Sequence, residues 1–231
     1  MPQSNAAHLR ITSLFEDLDD TDLERIAASC LFRRHERDAQ IVGEQDQTND
    51  VFFILEGAVR INSYSPTGRE VVFSDVGVGG MFGEFSAVDG LPRSARIFAL
   101  TDCLLARMPA TAFANLLRTH PAISSRLIEL LISKIRRMSE RVFELSALAV
   151  RERVRRELLR LAPDGAATAE GVIIQPAPTH YELAARLGTL REAVTREFNR
   201  LEAAGIIEVH RRYIRIVDLK KLKRSEDLDP Q

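Results

Sequence analysis

Short apolar runs follow one another between residues 40 and 108 of the chain. They read AQIVG, DVFFILEG, AVRINSY, REVVFSDV, ARIFALTD and CLLARM, and turn signals such as SPTGR and GVGG separate them. Six or more short β-rich runs at this spacing are typical of a small antiparallel roll or barrel. Ahead of them, residues 12–30 predict one short amphipathic helix, with Thr21 and Glu24 placed as a capping box.

The hydrophobic period becomes helical after Pro121. Apolar residues then recur at alternating spacings of three and four over about three heptads, at Ile128, Leu131, Ile135, Met138, Val142 and Leu145. A stripe this narrow favours a seam between two helices, since a helix that faces its own core usually shows a wider apolar face. We therefore predict a homodimer formed through residues 121–146, the alternative being a helix packed on its own barrel.

The last third of the chain predicts a winged helix-turn-helix. A helix over 150–161 ends before Pro163, and a polar loop follows it. Thr179 opens a capping box with Glu182, and HYELAARLG is typical of a short helix closed by Gly188. The segment TLREAVTREFNRLEAAG predicts a second helix closed by Gly205, and the two helices with their tight turn form a helix-turn-helix. The run IIEVHRRYIRIVD then predicts a hairpin, the wing, which turns near Arg211 and Arg212.

The predicted fold is therefore α+β, with an N-terminal β-roll, a long helix and a C-terminal winged helix-turn-helix. The expected domains are 1–120 for the roll with its N-terminal helix, 121–148 for the dimerisation helix and hinge, and 149–224 for the DNA-binding domain. Residues 225–231 are expected to form a disordered tail.

Composition narrows the class of protein. The chain has 231 residues, of which 45% are hydrophobic and 28% charged, and it contains no 18-residue apolar run. Its N-terminus lacks the apolar region of a secretory signal, so we expect a cytoplasmic protein without a membrane partner. The two cysteines, Cys30 and Cys103, are too few and too far apart for an iron–sulfur or structural zinc site.

Charge is distributed unevenly along the chain. Residues 1–150 carry 16 basic and 20 acidic side chains, a net −4, whereas 151–231 carry 16 and 13, a net +3. This basic C-terminal part suggests a polyanionic partner for that domain.

The second helix of the predicted helix-turn-helix carries side chains that can recognise bases. Arg191, Glu192 and Arg196 lie near its N-terminal end and can reach one side. Arg pairs with guanine O6 and N7, and Glu accepts from cytosine N4, so the set suits a G·C-containing step. The alternative is a solvated helix face with Glu192–Arg196 pairing. Arg211 and Arg212 in the wing would contact phosphate.

The stretch GEFSAVDGLPRSA, residues 83–95, combines groups that could hold a ligand. Gly83 permits close backbone approach, residues 84–88 can form one helical turn, and Ser94 adds a hydroxyl beside Arg93. Arg93, Ser94 and backbone amides could hold a phosphate, while Glu84 could accept a hydrogen bond from a neighbouring hydroxyl. A ribose with a phosphodiester and a free 2′-hydroxyl, as in a cyclic nucleotide, meets both requirements. A purely structural Glu84–Arg93 ion pair is the alternative.

The segment FGEFSAVDGLPRSA resembles the phosphate-binding cassette of cyclic-nucleotide-binding domains. The order of β-roll, long helix and winged helix-turn-helix, over about residues 12–218, resembles the catabolite activator (cyclic AMP receptor protein) and fumarate–nitrate regulator family. The resemblance implies that Glu84 takes the ribose hydroxyl and that Arg93 and Ser94 take the cyclic phosphate, with Gly83 and Phe85 beside them. It also implies that Arg191, Glu192 and Arg196 recognise a TGTGA-like half-site.

Further contacts and partners are implied by the same resemblance. Thr179, Thr189 and Thr195 join the DNA-binding set, double-stranded DNA is the partner, and RNA polymerase is a further one. The base of the ligand would meet Met138 and Ser139, where cyclic AMP-responsive members typically offer Thr and Ser. Cyclic AMP is therefore the first candidate and cyclic GMP the second. The loop at 163–171 occupies the place of the family's polymerase-contacting loop but departs from its pattern.

The signal would pass from the ligand through the dimer helix near Ser139 to a hinge around Leu145–Arg151, as a shift between two populations. In an alternative interpretation, a regulator of the same fold senses its signal through haem, an iron–sulfur cluster or a small metabolite, or binds no ligand. No metal or haem is expected, since the five histidines are scattered and none lies in the cassette. A cyclic-nucleotide-binding regulatory subunit of an enzyme is a second rival. An enzyme is disfavoured because no nucleophile–base pair or metal-ligand cluster is apparent.

Overall fold

A computed structural model describes residues 5–162 and 171–224 of the chain. The chain divides into two compact units, Met1–Ile135 and Arg136–Gln231. Within the described ranges, no helix is long and apolar enough to cross a membrane.

The first unit contains eight strands and the helices that pack on them in the described range. The helices are α1 (Asn5–Leu9), a 3₁₀ turn (Ser13–Phe15), α2 (Asp20–Ala28), α3 (Glu84–Asp89), α4 (Ala110–Thr119) and the first part of α5 (Pro121–Ala147). The strands are β1 (Leu31–His35), β2 (Gln40–Val42), β3 (Val51–Glu56), β4 (Val59–Tyr64), β5 (Glu70–Val76), β6 (Met81–Phe82), β7 (Arg96–Ala99) and β8 (Cys103–Met108).

These strands form two four-stranded antiparallel sheets. One has the order β1-β8-β3-β6 and the other β2-β7-β4-β5. Side chains from both sheets share one buried cluster, so the sheets enclose a common core. The predicted antiparallel roll is thus confirmed. Two strands were not predicted from the sequence: β1, whose run LFRRH places two arginines and a histidine after two apolar residues, and β6, which is only two residues long.

Strand β3 explains why DVFFILEG is a continuous apolar run. Phe52 and Ile54 face the core between the sheets, whereas Val51, Phe53 and Leu55 face a second cluster formed with α1, α2, α4 and the start of α5. Both faces of β3 are therefore covered, and alternation of polar and apolar residues is lost. The ring of Phe53 packs against that of Phe15 at 4.9 Å between centroids.

The helix predicted within residues 12–30 begins at a different cap from the one that the sequence suggested. Asp19, rather than Thr21, is the N-cap of α2, and its side chain accepts a hydrogen bond from the backbone N–H of Asp22. The predicted capping box of Thr21 with Glu24 is therefore wrong. Asp is as good an N-cap as Thr, so two cap signals competed two residues apart.

Most of the predicted seam on α5 is exposed. Ile128, Ile135, Met138, Val142 and Leu145 are 44–62% exposed. Leu131 departs from the prediction, because it is half-buried against the core of the first unit. Ile132, which is 46% exposed, extends the apolar stripe instead.

The second unit, where it is described, is a winged helix-turn-helix with its own core. It contains the end of α5 and then α6 (Val150–Leu161), β9 (Val172–Ile174), α7 (His180–Leu187), α8 (Arg191–Ala203), β10 (Ile207–Val209), β11 (Ile214–Ile216) and α9 (Leu219–Lys223). The strands form an antiparallel sheet of order β10-β11-β9, which shares a buried cluster with α6, α7 and α8.

Local signals in this unit agree with the sequence prediction. Thr179 and Glu182 form the predicted capping box, and Gly188 ends α7 in the left-handed conformation. The predicted loop at 163–171 lies outside the described residues except for Gly171, and the predicted tail at 225–231 lies wholly outside them.

Candidate functional site

The cassette predicted from the sequence is built around α3. Gly83 precedes this helix with φ +87°, and a Cβ at this position would lie 2.6 Å from the backbone oxygen of Asp50 and 2.7 Å from Nη1 of Arg93. The position therefore requires glycine for both its conformation and its space. Glu84 is the first residue of α3 and is 5% exposed, and Arg93 follows the helix in a loop and is 3% exposed.

Arg93 connects several segments of the cassette through hydrogen bonds. Its Nη1 donates to the Gly83 carbonyl at 3.0 Å, its Nη2 to the Asp50 carbonyl at 2.8 Å, and its Nε to the Thr48 hydroxyl at 3.1 Å. The guanidinium carbon also lies 5.9 Å from the centroid of the Phe52 ring. The side chain thereby ties the start of α3 to the loop before β3.

Burial and nearby carboxylates have opposite effects on the charge of Arg93. Burial lowers the pKa of Arg93 from its usual value, while the negative charges of Asp50, Asp46 and Glu84 act in the opposite direction. Arginine stays protonated in proteins, so the consequence is a poorly hydrated positive charge. Such a charge interacts with an anion more strongly than an exposed one does.

Glu84 takes its partner from α5. Its Oε1 accepts from Nζ of Lys134 at 2.6 Å, and Lys134 also approaches the carbonyl of Met81 at 3.5 Å. Glu84 and Arg93 are therefore each satisfied by different groups. Lys134 was not among the residues predicted from the sequence. Its spacing of four residues from Met138 was the available signal, since i and i+4 share a helix face.

The remaining predicted ligand residues are exposed. Phe85 is 48% exposed on α3, and Ser94 is exposed immediately after the buried Arg93. Met138 is 61% exposed and Ser139 is also exposed, both on the part of α5 that belongs to the second unit.

The predicted recognition residues come together on α8. Arg191, Glu192, Thr195 and Arg196 line one surface cleft, and the two arginines and Glu192 are exposed. The N-cap of α8 is Leu190, whose side chain makes no capping bond. The charged side chains of the first turns therefore project from a helix end whose N–H groups favour phosphate.

Hydrogen bonds to α7 and to its own helix hold the side chain of Thr195 in place. Its hydroxyl donates to the carbonyl of Arg191 at 3.0 Å and lies 2.8 Å from Nδ1 of His180, the first residue of α7. The His180 ring packs on Phe198 at 4.6 Å between centroids. Burial, and secondarily the charge of Arg191, lowers the pKa of His180. His180, one of the five histidines expected to be surface or structural residues, thus connects α7 to α8.

The other predicted DNA residues lie at the ends of elements. Thr179 is the N-cap of α7, and Thr189 lies in the turn between α7 and α8, where its N–H donates to the Ala184 carbonyl. Arg211 and Arg212 are exposed in the turn between β10 and β11. The wing therefore presents two positive charges to solvent.

Metal-binding side chains are dispersed. In residues 5–162 and 171–224, no group of three or more His, Cys, Asp or Glu could hold a metal ion. Burial raises the pKa of Cys30 to about 11, which disfavours a reactive thiolate.

Two family models match the chain at the places where these features lie. A cyclic nucleotide-binding domain matches residues 32–120, and a Crp-like helix-turn-helix domain matches residues 152–225.

Known proteins are similar to this chain in sequence or in structure. The cAMP-activated global transcriptional regulator CRP of Salmonella typhimurium is 27% identical over 194 residues, or 83% of this chain and 91% of its own. The CRP-like cAMP-activated global transcriptional regulator of Mycobacterium tuberculosis is 28% identical over 186 residues, or 80% of this chain and 83% of its own. The structure of a CooA mutant from Carboxydothermus hydrogenoformans aligns with a TM-score of 0.77 at 22% identity, over 94% of this chain and 97% of its own.

The chain is therefore a DNA-binding transcription regulator with a cyclic nucleotide-binding domain. It belongs to the catabolite activator (cyclic AMP receptor protein) and fumarate–nitrate regulator family.

Replacing Gly83 with alanine should disrupt the cassette. Gly83→Ala places a Cβ against backbone and against Arg93, whereas Gly90→Ala, at φ +71° on the other end of α3, meets nothing within 4 Å. Both variants carry the cost of a positive φ, about 1 kcal/mol. We expect Gly83→Ala to lose at least about 1 kcal/mol more unfolding free energy than Gly90→Ala in urea denaturation. Equal losses would show that the space at Gly83 is unimportant.

Proposed function

We propose that this protein is a cyclic-nucleotide-responsive regulator that binds a palindromic, TGTGA-like operator as a homodimer. The observation that carries the proposal is the buried Arg93 at the centre of the cassette. A buried guanidinium beside an exposed hydroxyl and a glycine-permitted backbone approach is a suitable receptor for a phosphate.

The donor set fits a cyclic phosphate. A guanidinium has five N–H groups, and three of those of Arg93 are directed to Thr48, Gly83 and Asp50. The remaining N–H groups of Arg93, with the Ser94 hydroxyl, are assigned to the phosphate oxygens. The three internal bonds restrict the rotamers of Arg93, so little entropy is lost when the ligand binds.

Glu84 is assigned to the ribose. Lys134 donates to Oε1 of Glu84, which orients the buried carboxylate. The other oxygen, Oε2, would accept a hydrogen bond from the 2′-hydroxyl. Gly83, the N-cap of α3, and Phe85, on α3, flank Glu84.

We assign the base to the face of α5 that carries Met138 and Ser139. The Ser139 hydroxyl can hydrogen-bond a base, while Met138 can pack against it. Cyclic AMP is the first candidate, since the relatives from Salmonella typhimurium and Mycobacterium tuberculosis are named as cAMP-activated. Cyclic GMP is the second.

The exposed stripe on α5 supports a homodimer. Seven large apolar side chains between Ile128 and Leu145 are 44–62% exposed. A second copy of the same helix would cover them in a coiled-coil arrangement. Two copies of α8 would then contact half-sites about one DNA turn apart, and ligand binding would favour the arrangement that fits the operator. RNA polymerase is proposed as a further partner of the DNA-bound dimer, because the chain is a transcription regulator.

Loss of the Ser94 hydroxyl should weaken ligand binding with little effect on folding. For Ser94→Ala we expect roughly 5-fold weaker binding of cyclic AMP, equal to about 1 kcal/mol. Arg93→Lys should lose roughly 10- to 100-fold, since one ammonium cannot replace the forked donors. Isothermal titration calorimetry measures both affinities, and thermal denaturation checks the fold.

The matched control is Thr67→Ala, which removes an exposed hydroxyl from the turn between β4 and β5. It should bind cyclic AMP like the wild type. Unchanged affinity in Ser94→Ala and Arg93→Lys would refute the assignment of the phosphate to this cassette.

The arginines of α8 and those of the wing should affect DNA binding differently. Arg191→Ala should cost about 1–3 kcal/mol on the preferred operator and relax base preference at one position of each half-site. Arg212→Ala should weaken all sequences alike and reduce the salt dependence of binding. Fluorescence anisotropy with the operator, its single-base variants and a scrambled duplex separates the two. Equal losses from both variants on every duplex would contradict this division.

Charge on the α5 stripe should prevent dimerisation. Val142→Glu places a carboxylate in the proposed seam, where Val142 is 62% exposed. Ile173→Glu is the control, because Ile173 is 45% exposed on β9 and is not part of the stripe. We expect analytical ultracentrifugation to show a monomer for Val142→Glu and a dimer for Ile173→Glu. A dimer for both would place the interface elsewhere.

A further inference from the structure

A cluster of buried charges lies in the second unit and consists of residues that are not assigned to ligand or DNA. It contains two glutamates, Glu144 near the end of α5 and Glu157 on α6, which are 4% and 2% exposed. Arginines from three helices approach them, among them Arg141 on α5, Arg160 on α6 and Arg186 on α7.

The ion pairs of this cluster cross from one helix to another. Arg160 of α6 donates to Glu144 of α5 at 2.6 Å and to Glu157 of its own helix at 2.5 Å. Arg141 of α5 donates to Glu157 of α6 at 3.3 Å. Arg186 of α7 reaches the other oxygen of Glu157 at 3.5 Å. Each carboxylate therefore contacts arginines from more than one helix.

The end of α7 is held by the same helices. Arg141 of α5 donates to the carbonyl of Arg186, and Arg153 of α6 donates to the carbonyl of Leu187 at 2.7 Å. These carbonyls belong to the last turn of α7, which carries the negative end of the helix dipole and needs donors from outside the helix. The turn that connects α7 to α8 follows directly, at Gly188.

Apolar packing reinforces this junction. A Cβ added to Gly188 would lie 2.9 Å from a methyl carbon of Leu145, so α5 reaches the turn of the helix-turn-helix closely. The cluster and this contact together span the chain segment around Leu145–Arg151, which the sequence suggested as a hinge. An isolated buried carboxylate is costly, so Glu144 and Glu157 strongly favour the arrangement in which their arginines are present.

We propose that this charge cluster is the coupling device of the protein: it makes the last turns of α5 rigid with the helix-turn-helix. A change in α5 is then passed through Arg141 and Glu144 to α7 and its turn. Arg141 and Glu144 act as positioning residues for α8, although neither is assigned to DNA. The inference rests on the proposed function in two respects, namely that the signal entering α5 is a cyclic nucleotide and that α8 binds the operator.

The test uses full-length Arg141→Gln and Glu144→Gln, each of which replaces a charged side chain with a neutral amide. Arg200→Gln is the matched control. Arg200 pairs with the 6%-exposed Glu197 at 2.8 Å, but both residues lie on α8 and their pair does not involve α5. All three changes remove one charge from a pair that includes a buried glutamate, and only the first two change the link between α5 and the DNA-binding domain.

Hydrogen exchange tests the rigid junction without any ligand. The amides of Leu148, Glu152 and Arg153 donate to carbonyls of Glu144 and Ala149, next to the junction. In Arg141→Gln and Glu144→Gln we expect these amides to exchange at least about 10-fold faster, with α8 unchanged. In Arg200→Gln the junction should exchange as in the wild type. Unchanged exchange at the junction in both α5 variants would overturn the proposal.

Coupling is measured as the ratio of operator affinities with and without saturating cyclic AMP, by fluorescence anisotropy. Allosteric coupling typically changes affinity roughly 5- to 150-fold. The ratio should fall toward unity in Arg141→Gln and Glu144→Gln, while cyclic AMP affinity by calorimetry stays at the wild-type value. The ratio should persist in Arg200→Gln. A wild-type ratio in both α5 variants would reduce the cluster to a structural role.

The two proposals fail in different ways. If the wild type binds no cyclic AMP, the proposed function fails, and hydrogen exchange alone decides whether the junction is rigid. If the wild type responds and the α5 variants respond equally, the coupling inference fails and the proposed function stands.

Discussion

The buried guanidinium of Arg93 is the constraint on which the cassette depends. A charge that is 3% exposed needs hydrogen-bond partners, and three N–H groups of Arg93 find them in two backbone carbonyls and one hydroxyl. Those bonds fix the start of α3 and the loop before β3, and Gly83 is needed because Arg93 lies against it. The same constraint leaves positive charge and further donors beside Ser94. Arg93 can therefore stabilise the cassette and also bind a ligand. The two alternatives suggested by the sequence, a structural role and a ligand site, do not exclude each other.

Buried charge recurs as the means by which α5 is joined to other elements. Lys134 of α5 pairs with Glu84 of the cassette, and seven residues further along, Arg141 begins the cluster that includes Glu144 and Glu157. One helix thus carries a charged contact to the proposed ligand site and another to the DNA-binding domain. Because an unpaired buried charge is costly, each ion pair favours one defined position of α5 against the element that it contacts over a continuous range of positions. This property suits a helix that transmits a change between two states.

Much of the fold could be predicted from local sequence, because its signals are local. The capping box of Thr179 and Glu182, the closing Gly188 and the apolar runs of the roll depend on residues a few positions apart. Strand β1 was missed because its partner, β8, is distant in sequence and only its first two residues are apolar. Lys134 and the arginine cluster were missed for a similar reason, since Lys134 lies 50 residues from Glu84 and Arg160 lies 16 from Glu144. Residues of one contiguous motif, such as Gly83, Glu84 and Arg93, could be predicted from the sequence. The groups that form hydrogen bonds with the charged ones could not, because they lie far away in the chain.

Above all, we propose that the cassette binds a cyclic nucleotide through its phosphate and its 2′-hydroxyl. Calorimetric titration of the wild-type protein with cyclic AMP and with 2′-deoxy cyclic AMP tests it most directly. We predict one cyclic AMP per chain and roughly 10-fold or greater weakening for the deoxy analogue, since Glu84 loses a hydrogen bond to a charged acceptor. Absence of binding for both would contradict the ligand site, and equal affinities would contradict the role of Glu84.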